Sequence, residues 1–535
     1  MSTTRHKWTV LVIAVCLAAA LAVSAGCGSS DTTTTAEPGT TGTTSSDATA
    51  TTEPAGPVKV VVAQGVDPTT MDPHQQRETS TVNVLLHIYD PLLERDAQDP
   101  TKFNGILATS WTQVDPTTVE FKLQAGVTFS GGEPFDAECV KYNVDRLLGF
   151  LPGTEPALLA YQFGTIESTE VVDAETVRIK TKVPDPLILS RMALLYMIPT
   201  GSVDADPEAL MSEPNGTGPY NLVEWDRNNQ VVLQAKEDYF RGAPTVDELV
   251  FRTIPEASTR LAEIQVGNVD IITNVPPENA AEVGSQGQAD VKEVPSSRIA
   301  AVWLDTLENP TLAKKEVRQA LNYAVDVEAI TQDVMSGYGM PVATIVPSYW
   351  VAYNPDLKPY PFDQAKAREL LAAAGVPDGF EVEMLLPRGR YLMAEEVAQA
   401  VVADLAGVGV NVKLNAVEFG VFAEATQARQ IPGMFYAAWG EPFFDPGGML
   451  EVTVRSGTDG FSWFNNPEID ALIDEAQSTV GDEHVNNLQE VEKAIYEDPP
   501  FIFLFAQKDL YGVSNRLDWS PRSDEWIILY GASVK

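Results

Sequence analysis

Glu395-Glu396-Val397-Ala398-Gln399-Ala400-Val401-Val402-Ala403-Asp404-Leu405-Ala406, then Gly407, then Val408-Gly409-Val410-Asn411-Val412-Lys413-Leu414, is the stretch whose reading decides the fold class. Glu395 to Ala406 reads as a helix and Gly407 as its closing residue. Val408, Val410, Val412 and Leu414 then alternate with other residues as a strand. Helix, glycine and strand in that order form the return stroke of an α/β unit. Working back along the chain, Asp363 is a candidate N-cap for a helix from Gln364 to Ala374, which Gly375 closes. Earlier still, Val317, Leu321, Ala324, Glu328 and Thr331 fall at turn spacing, and Ala320, Val327, Ile330 and Val334 fill the apolar face. Before about residue 310 the texture is strand-rich. Val58 to Ala63 reads as a buried strand, and Val119, Phe121, Leu123 and Val177, Ile179, Thr181 as half-buried ones. Asp115-Pro116 and Asp173-Ala174 supply the turns before those two. The body is therefore mixed α/β, and two α/β lobes with a ligand cleft between them account for the change in texture.

The chain has 535 residues, too many for one hydrophobic core, so two or three packed units are expected. Acidic residues outnumber basic ones 75 to 36, a net charge of −39, and such a surface repels phosphate backbones and excludes nucleic acid as a partner. Cysteine is confined to Cys16, Cys27 and Cys139, and histidine to His6, His74, His87 and His484. Cys139, in the apolar-patterned stretch Phe135 to Leu148, reads as a small buried residue.

The first residues read as an address. Arg5, His6 and Lys7 precede an apolar run of 14 residues, Val10 to Val23, which suits a secretory signal and is short for a bilayer span. Ser24-Ala25-Gly26-Cys27 resembles the lipobox of bacterial lipoproteins, which implies removal of residues 1–26 and diacylation of Cys27. Two acyl chains anchor stably where one does not. Residues 27–56 are almost entirely small and polar and read as a flexible Ser/Thr-rich tether.

Several motifs of the body carry a family resemblance. Asp67-Pro68-Thr69-Thr70-Met71-Asp72-Pro73, Ile88-Tyr89-Asp90-Pro91-Leu92-Leu93 and Gly131-Gly132-Glu133-Pro134-Phe135-Asp136-Ala137 stand near its start. Gly216-Thr217-Gly218-Pro219-Tyr220, Gly267-Asn268-Val269-Asp270-Ile271 and Val317-Arg318-Gln319-Ala320-Leu321-Asn322-Tyr323-Ala324-Val325-Asp326 follow in order. From Val58 to Asn515 the chain resembles family 5, the peptide/nickel/opine class of solute-binding lipoproteins that serve ABC importers. The resemblance implies a two-lobe, periplasmic-binding-protein-like clamp of type II. Lobe I would take 57–315, with an inserted subdomain at about 97–214. Lobe II would take 316–504, and 505–535 would return to lobe I. It further implies a monomer that delivers a peptide-like solute to a permease and needs no cofactor.

The resemblance also supplies candidate site residues. Trp439-Gly440-Glu441-Pro442-Phe443-Phe444-Asp445-Pro446 corresponds to the stretch where peptide binders pair an aspartate with the ligand's ammonium. That aspartate's place falls on Pro442, and Glu441 is the candidate substitute. The stretch is also similar to the W-G-x-P-aromatic-D-P pattern of the nickel and opine branch, with one aromatic more, and it makes Trp439 and Asp445 candidates. Arg388, Arg390, Tyr391 and Phe419 match pocket-lining positions, and a guanidinium fork suits a carboxylate. Where a nickel binder has its histidine, this chain has Arg455-Ser456-Gly457-Thr458-Asp459, so a bare metal ion is not the expected ligand, while a metal chelate or opine-like carboxylate remains the alternative. A hydrolase is disfavoured because G-x-S-x-G, H-E-x-x-H and C-x-x-C are all missing. A receptor that presents the ligand to a sensor would use the same clamp.

Overall fold

The computed structural model describes residues 56–535 except 77, 98, 203–209, 211, 389, 432 and 458–460. The signal segment, the tether up to Ala55 and the lipidation candidate Cys27 lie outside the described residues. Among the described residues no helix is long and apolar enough to cross a membrane.

Val60 to Ala63 are all buried, because the strand Lys59–Gln64 lies in the interior of a sheet. Val60 and Val62 enter one core while Val61 and Ala63 enter another, so a continuous apolar run, rather than an alternating one, is what this strand requires. Among the described residues eleven strands form that sheet. Its central pair is Ala289–Leu304 and Phe501–Ser514, which run antiparallel to each other. On one side of the pair lie Gly433–Gly440, Phe380–Pro387 and Val410–Val417; on the other lie Ile271–Ile272, Lys59–Gln64, Glu248–Thr253, Gln230–Ala235 and Tyr220–Asp226. The short strand Gly339–Pro341 also pairs with Phe501–Ser514.

The central pair serves two sets of cores. Ile299, Ala301 and Trp303 pack with Phe501 and Phe503 on one face; Ala300, Val302 and Leu304 pack with Ile502 and Leu504 on the other. Towards the other end of the pair, Tyr511 and Val513 join the core around Val60 and Tyr220, and Leu510 joins that around Val61. The two ends are offset by a register shift between Pro295 and Ile299. A second, four-stranded sheet (Ala108–Asp115, Thr118–Leu123, Thr176–Thr181, Ile166–Asp173) closes a core of its own with the helix Ala137–Leu147. Cys139 is fully buried there, and burial pushes its thiol up to about 12.

The local readings hold where local chemistry suffices. Asp363 caps Gln364–Ala373 by accepting from Lys366 N–H at 2.9 Å, and Gly375 takes φ +80. Ala394–Ala406 is followed by the strand Val410–Val417. The face running from Val317 to Val334 is not one helix. Lys315–Ala324 stops at an extended Val325, and Asp326 caps a new turn through Ala329 N–H while its own N–H donates to Asp404. Asp326 thus satisfies two chain directions at once, a preference that outweighs helical continuation.

Two family motifs turn out to be backbone fasteners. A Cβ on Gly216 would lie 2.0 Å from Ile88 O, so only glycine permits this approach, and Thr217 donates its hydroxyl to the buried Asp90. Arg318 donates to Leu312 O and Pro499 O and pairs with Asp498, while Asn322 donates to Phe501 O and accepts from Phe503 N–H. Both side chains fix the start of Phe501–Ser514. Two histidines are interior and neutral. His74 accepts from Arg146, and His87 accepts from Leu529 N–H. Burial draws them down to about 4 and about 3.

Glu492 is a buried acid under the same rule. Its Oε2 accepts from Thr344 at 2.9 Å, and burial pushes the carboxyl up to about 8 against the pull of Thr344 and the Asn354 backbone. A raised carboxyl binds its proton more tightly folded than unfolded, so stability is lost as pH climbs from the unfolded value through 8. Glu492→Gln is expected to stabilise the protein by about 2–4 kcal/mol at pH 8.5 and hardly at all at pH 5. Denaturant midpoints at the two pH values check this, and equal gains at both would refute the burial argument.

Candidate functional site

The register shift at residues 295–299 carries Ser296-Ser297-Arg298 just ahead of the apolar run Ile299 to Leu304. Opposite it, Gln507 and Asp509 interrupt the apolar run of Phe501–Ser514. Bulged residues re-aim their side chains, and here they meet a third segment carrying Glu525. Arg298 grips Glu525 with two parallel bonds, Nε to Oε1 at 3.0 Å and Nη2 to Oε2 at 2.9 Å, and its Nη1 donates to Ala438 O at 3.0 Å. The guanidinium passes so close to Gly440, opposite it in register, that a Cβ there would lie 3.2 Å from Nη2. Ser296 and Thr79 donate to the two Glu525 oxygens at 3.2 and 3.3 Å. Glu525 sits at φ +65, in the left-handed region, to present its carboxylate there.

The electrostatics of this cluster divide two carboxyls. Burial works against the Glu525 charge, but Arg298 and then Arg390 hold its carboxyl below the usual range. Asp509 lacks such a partner. Its Oδ1 accepts from Gln507 at 2.7 Å, and burial with the Glu525 charge pushes its carboxyl up, against the pull of Ser296 and Arg298. Arg298 ends above its ordinary value, because the Glu525 carboxylate overcomes burial.

Beside this cluster stand three of the sequence candidates. Arg390 follows the strand Phe380–Pro387 and is held between two rings, its guanidinium carbon 5.4 Å from the Tyr391 centroid and 5.5 Å from that of Phe419. Its Nη2 lies 3.4 Å from Glu78 Oε2, and its Nε is buried without a hydrogen-bond partner. Phe419 is 37% exposed and stacks on Phe422. Tyr391 packs its edge against Tyr436, and burial pushes its hydroxyl up.

Trp439 ends the strand Gly433–Gly440, half-buried and edge-on to Phe461 at 5.3 Å. Glu441 comes next and donates its N–H to Ser297 O, which brings it to the same bulge. Its carboxyl is buried, with Oε1 accepting from Phe443 N–H at 3.0 Å. Burial pushes it up to about 8, and the Asp445 charge adds to that against the pull of Arg191 and Arg95. Asp445 has a different occupation. It caps Pro446–Thr453 through Gly447 N–H at 2.8 Å and accepts from His484 Nε2 at 2.9 Å. His484 Nδ1 faces Ala476 O at 2.8 Å, so both ring nitrogens meet acceptors and the ring is doubly protonated. Burial pulls His484 down, but the Asp445 bond and charge leave it raised.

The remaining candidates stand apart from these. Arg388 is exposed, and its backbone N–H donates to Val417 O. Arg455 forms a two-bonded ion pair with Asp474 on the helix Pro467–Gln477. Arg298, Asp509, Glu525 and Glu78 were not among the sequence candidates. Polar residues beside apolar runs, Arg298 before Ile299 to Leu304 and Asp509 after Phe501 to Ala506, were the signal for the first two, and the glycine after Trp439 a trace of the guanidinium above it.

Arg298→Ala leaves the buried Glu525 carboxylate unpaired and is expected to cost about 3–5 kcal/mol. Paired with Glu525→Gln in a double-mutant cycle, it should show a coupling of about 0.5–3 kcal/mol in denaturant unfolding. Additive single losses would mean that the pair does not hold this junction together.

With the geometry in place, comparison with known proteins adds the relationship. Residues 102–461 match the family model for bacterial extracellular solute-binding proteins, family 5. The chain is 29% identical over 464 residues to the glutathione-binding protein GsiB of Salmonella paratyphi A, covering 84% of this chain and 89% of that one. Among solved structures it is similar to a dipeptide-binding protein of Pseudoalteromonas sp. SM9913 in complex with Met-Leu. The TM-score is 0.79 at 23% identity, over 89% of this chain and all, 100%, of that one. It is likewise similar to the Helicobacter pylori periplasmic binding protein DppA with the peptide STSA, at TM-score 0.78 and 22% identity, over 89% and 98% of the two chains.

Proposed function

The chain belongs to the bacterial extracellular solute-binding proteins of family 5, and from that premise we propose that it captures a short peptide-like solute through the solute's carboxylate. Its fold is the two-lobe α/β clamp of that family, and its task is transport binding for an ABC importer, not catalysis. The proposal concerns the solute and the residues that meet it. Lobe I would comprise 57–315, with the subdomain at about 97–214, and 505–535; lobe II would comprise 316–504. Separate cores on either side of the Pro295–Ile299 shift support two lobes, but Ile299 to Leu304 and Leu312 pack into the cores of the 316–504 side, which favours a crossing at the shift rather than at residue 315.

The carrying observation is Arg390. A guanidinium clamped between Tyr391 and Phe419, with a buried Nε lacking a partner, is preorganised for one more charge-assisted bond. A carboxylate supplies it with the right charge and plane. Trp439 and Phe419 would flank the solute as apolar walls. Glu441 would take the ammonium end of a zwitterion, giving up its proton as the cation arrives, since a like-sized opposite charge offsets burial. GsiB and the dipeptide binder, relatives by sequence and fold, are named for zwitterionic peptides, which suits this pairing.

Residues 1–26 are proposed as the signal peptide and Cys27 as the diacylated first residue, with 28–56 as the tether that keeps the clamp beside its permease at the outer face of the membrane. Supporting this is the small-residue approach to Cys27 after an apolar run. Mass spectrometry of detergent-extracted protein is expected to find the mature chain beginning at a lipid-modified Cys27. A mature terminus elsewhere would remove the anchor from the scheme.

The solute is tested by thermal shift of the full chain against di- to pentapeptides, glutathione, opines and nickel–histidine chelates. A solute at 100 times its Kd stabilises by about 2.7 kcal/mol, enough to read. A peptide acid should stabilise at least tenfold more tightly than its carboxamide, and Arg390→Gln should erase that preference. If no carboxylate solute stabilises the chain, or the preference survives in Arg390→Gln, the carboxylate assignment is wrong.

A further inference from the structure

Phe443 and Phe444 are neighbours in sequence and members of different cores. Among the described residues Phe443, 2% exposed, is the one fully buried member beyond position 197 of the core closed by the four-stranded sheet and the helix Ala137–Leu147, against which Phe240 and Trp526 also pack in part. Phe444, also 2% exposed, belongs to the core of Trp303, Phe435 and Phe501. The chain places two consecutive rings on opposite sides of a junction by a left-handed turn, with Phe444 at φ +55. For a bulky side chain that conformation is a true outlier, and outliers of this kind persist where the surroundings impose them.

Each ring is met by a buried arginine from the opposite segment. The Arg191 guanidinium lies 5.7 Å from the Phe443 centroid and is itself held by Asp185 at 2.8 Å. Arg95 lies 5.5 Å from the Phe444 centroid and donates to Ser190 at 2.7 Å. Both arginines also act electrostatically on Glu441 in the same loop. The contact therefore combines an inserted ring with cation–π and charge attraction across one junction.

We infer that Phe443 is an aromatic latch that holds the two lobes together without solute and must leave its socket for solute to enter. The inference rests on the lobe division proposed above, since Phe443 lies in 316–504 and its socket in 97–214. Burying a phenylalanine ring favours the latched state by about tenfold to 150-fold. The left-handed residue beside it gives back about five- to thirtyfold. The two contributions nearly offset, so the latch is poised and not permanent, and the binding of a solute between the lobes can tip it. A tandem pair is needed because one ring cannot both enter the socket and anchor the loop to its own core.

Small-angle X-ray scattering of the full chain, with no solute added, tests this. Phe443→Ala is expected to raise the radius of gyration above that of the parent while the melt stays cooperative. Phe443→Met, which keeps apolar volume but loses the ring under Arg191, should fall between the two. With glutathione as probe, Phe443→Ala should bind faster and at least as tightly as the parent, because the latched state no longer competes with the solute. An unchanged radius in a cooperatively melting Phe443→Ala overturns the latch. Should Phe443→Ala lose its cooperative melt, an unchanged radius in Phe443→Met overturns it equally. The scattering comparison needs no ligand, so failure of every carboxylate solute to bind would discard the solute assignment and leave the latch standing.

Discussion

Everything in this molecule depends on the antiparallel pairing of Ala289–Leu304 with Phe501–Ser514. Phe501–Ser514 and the stretch Ile299 to Leu304 are buried on both faces, so their backbone groups must find partners in the sheet or lose several hydrogen bonds to an apolar interior. Pairing the two strands with each other satisfies those groups and places both chains at the centre of one sheet. It also commits three strands to one side and five to the other, and it brings the chain's last residues back beside residues 79–95. Arg318 and Asn322 protect this arrangement at its start, where the helix Gly481–Glu497 ends and a strand must begin.

The wider of the two interruptions in that pairing concentrates the chemistry. Where the register slips between Pro295 and Ile299, backbone and side chains turn polar inside an apolar protein, and charge must be balanced locally. Arg298 with Glu525 achieves it by geometry, two parallel bonds inside the protein. Asp509 and Glu441 are balanced differently, by holding their protons more tightly. The junction thus contains committed ions and uncommitted acids side by side.

The local elements were legible because their causes are local. Asp363 with Gly375 bracketed a helix through one cap and one left-handed residue, both of which act within a turn of the chain. Val119, Phe121 and Leu123 alternated because they line one face of a strand, and Cys139 is buried as its apolar surroundings indicated. The face from Val317 to Val334 misled in part, since Asp326 answers to Asp404, distant in sequence, and breaks the helix there. Of the site candidates, Arg390, Tyr391 and Phe419 do gather in space, while Arg455 and Asp445 engage Asp474 and His484 instead.

The sequence by itself determined the α/β class, the helices and strands with local caps and periodicity, and the family through motifs spread along the body. Those depend on short-range periodicity, on capping and on composition, and each can be read in a window of a few residues. Only the tertiary structure decided which strands stand side by side, that Arg298 meets Glu525 across 227 positions, and that Phe443 and Phe444 part company into separate cores. Such choices come from burial and charge compensation between distant segments. A polar residue in an apolar strand announces that it needs a partner, and only the folded chain can supply one.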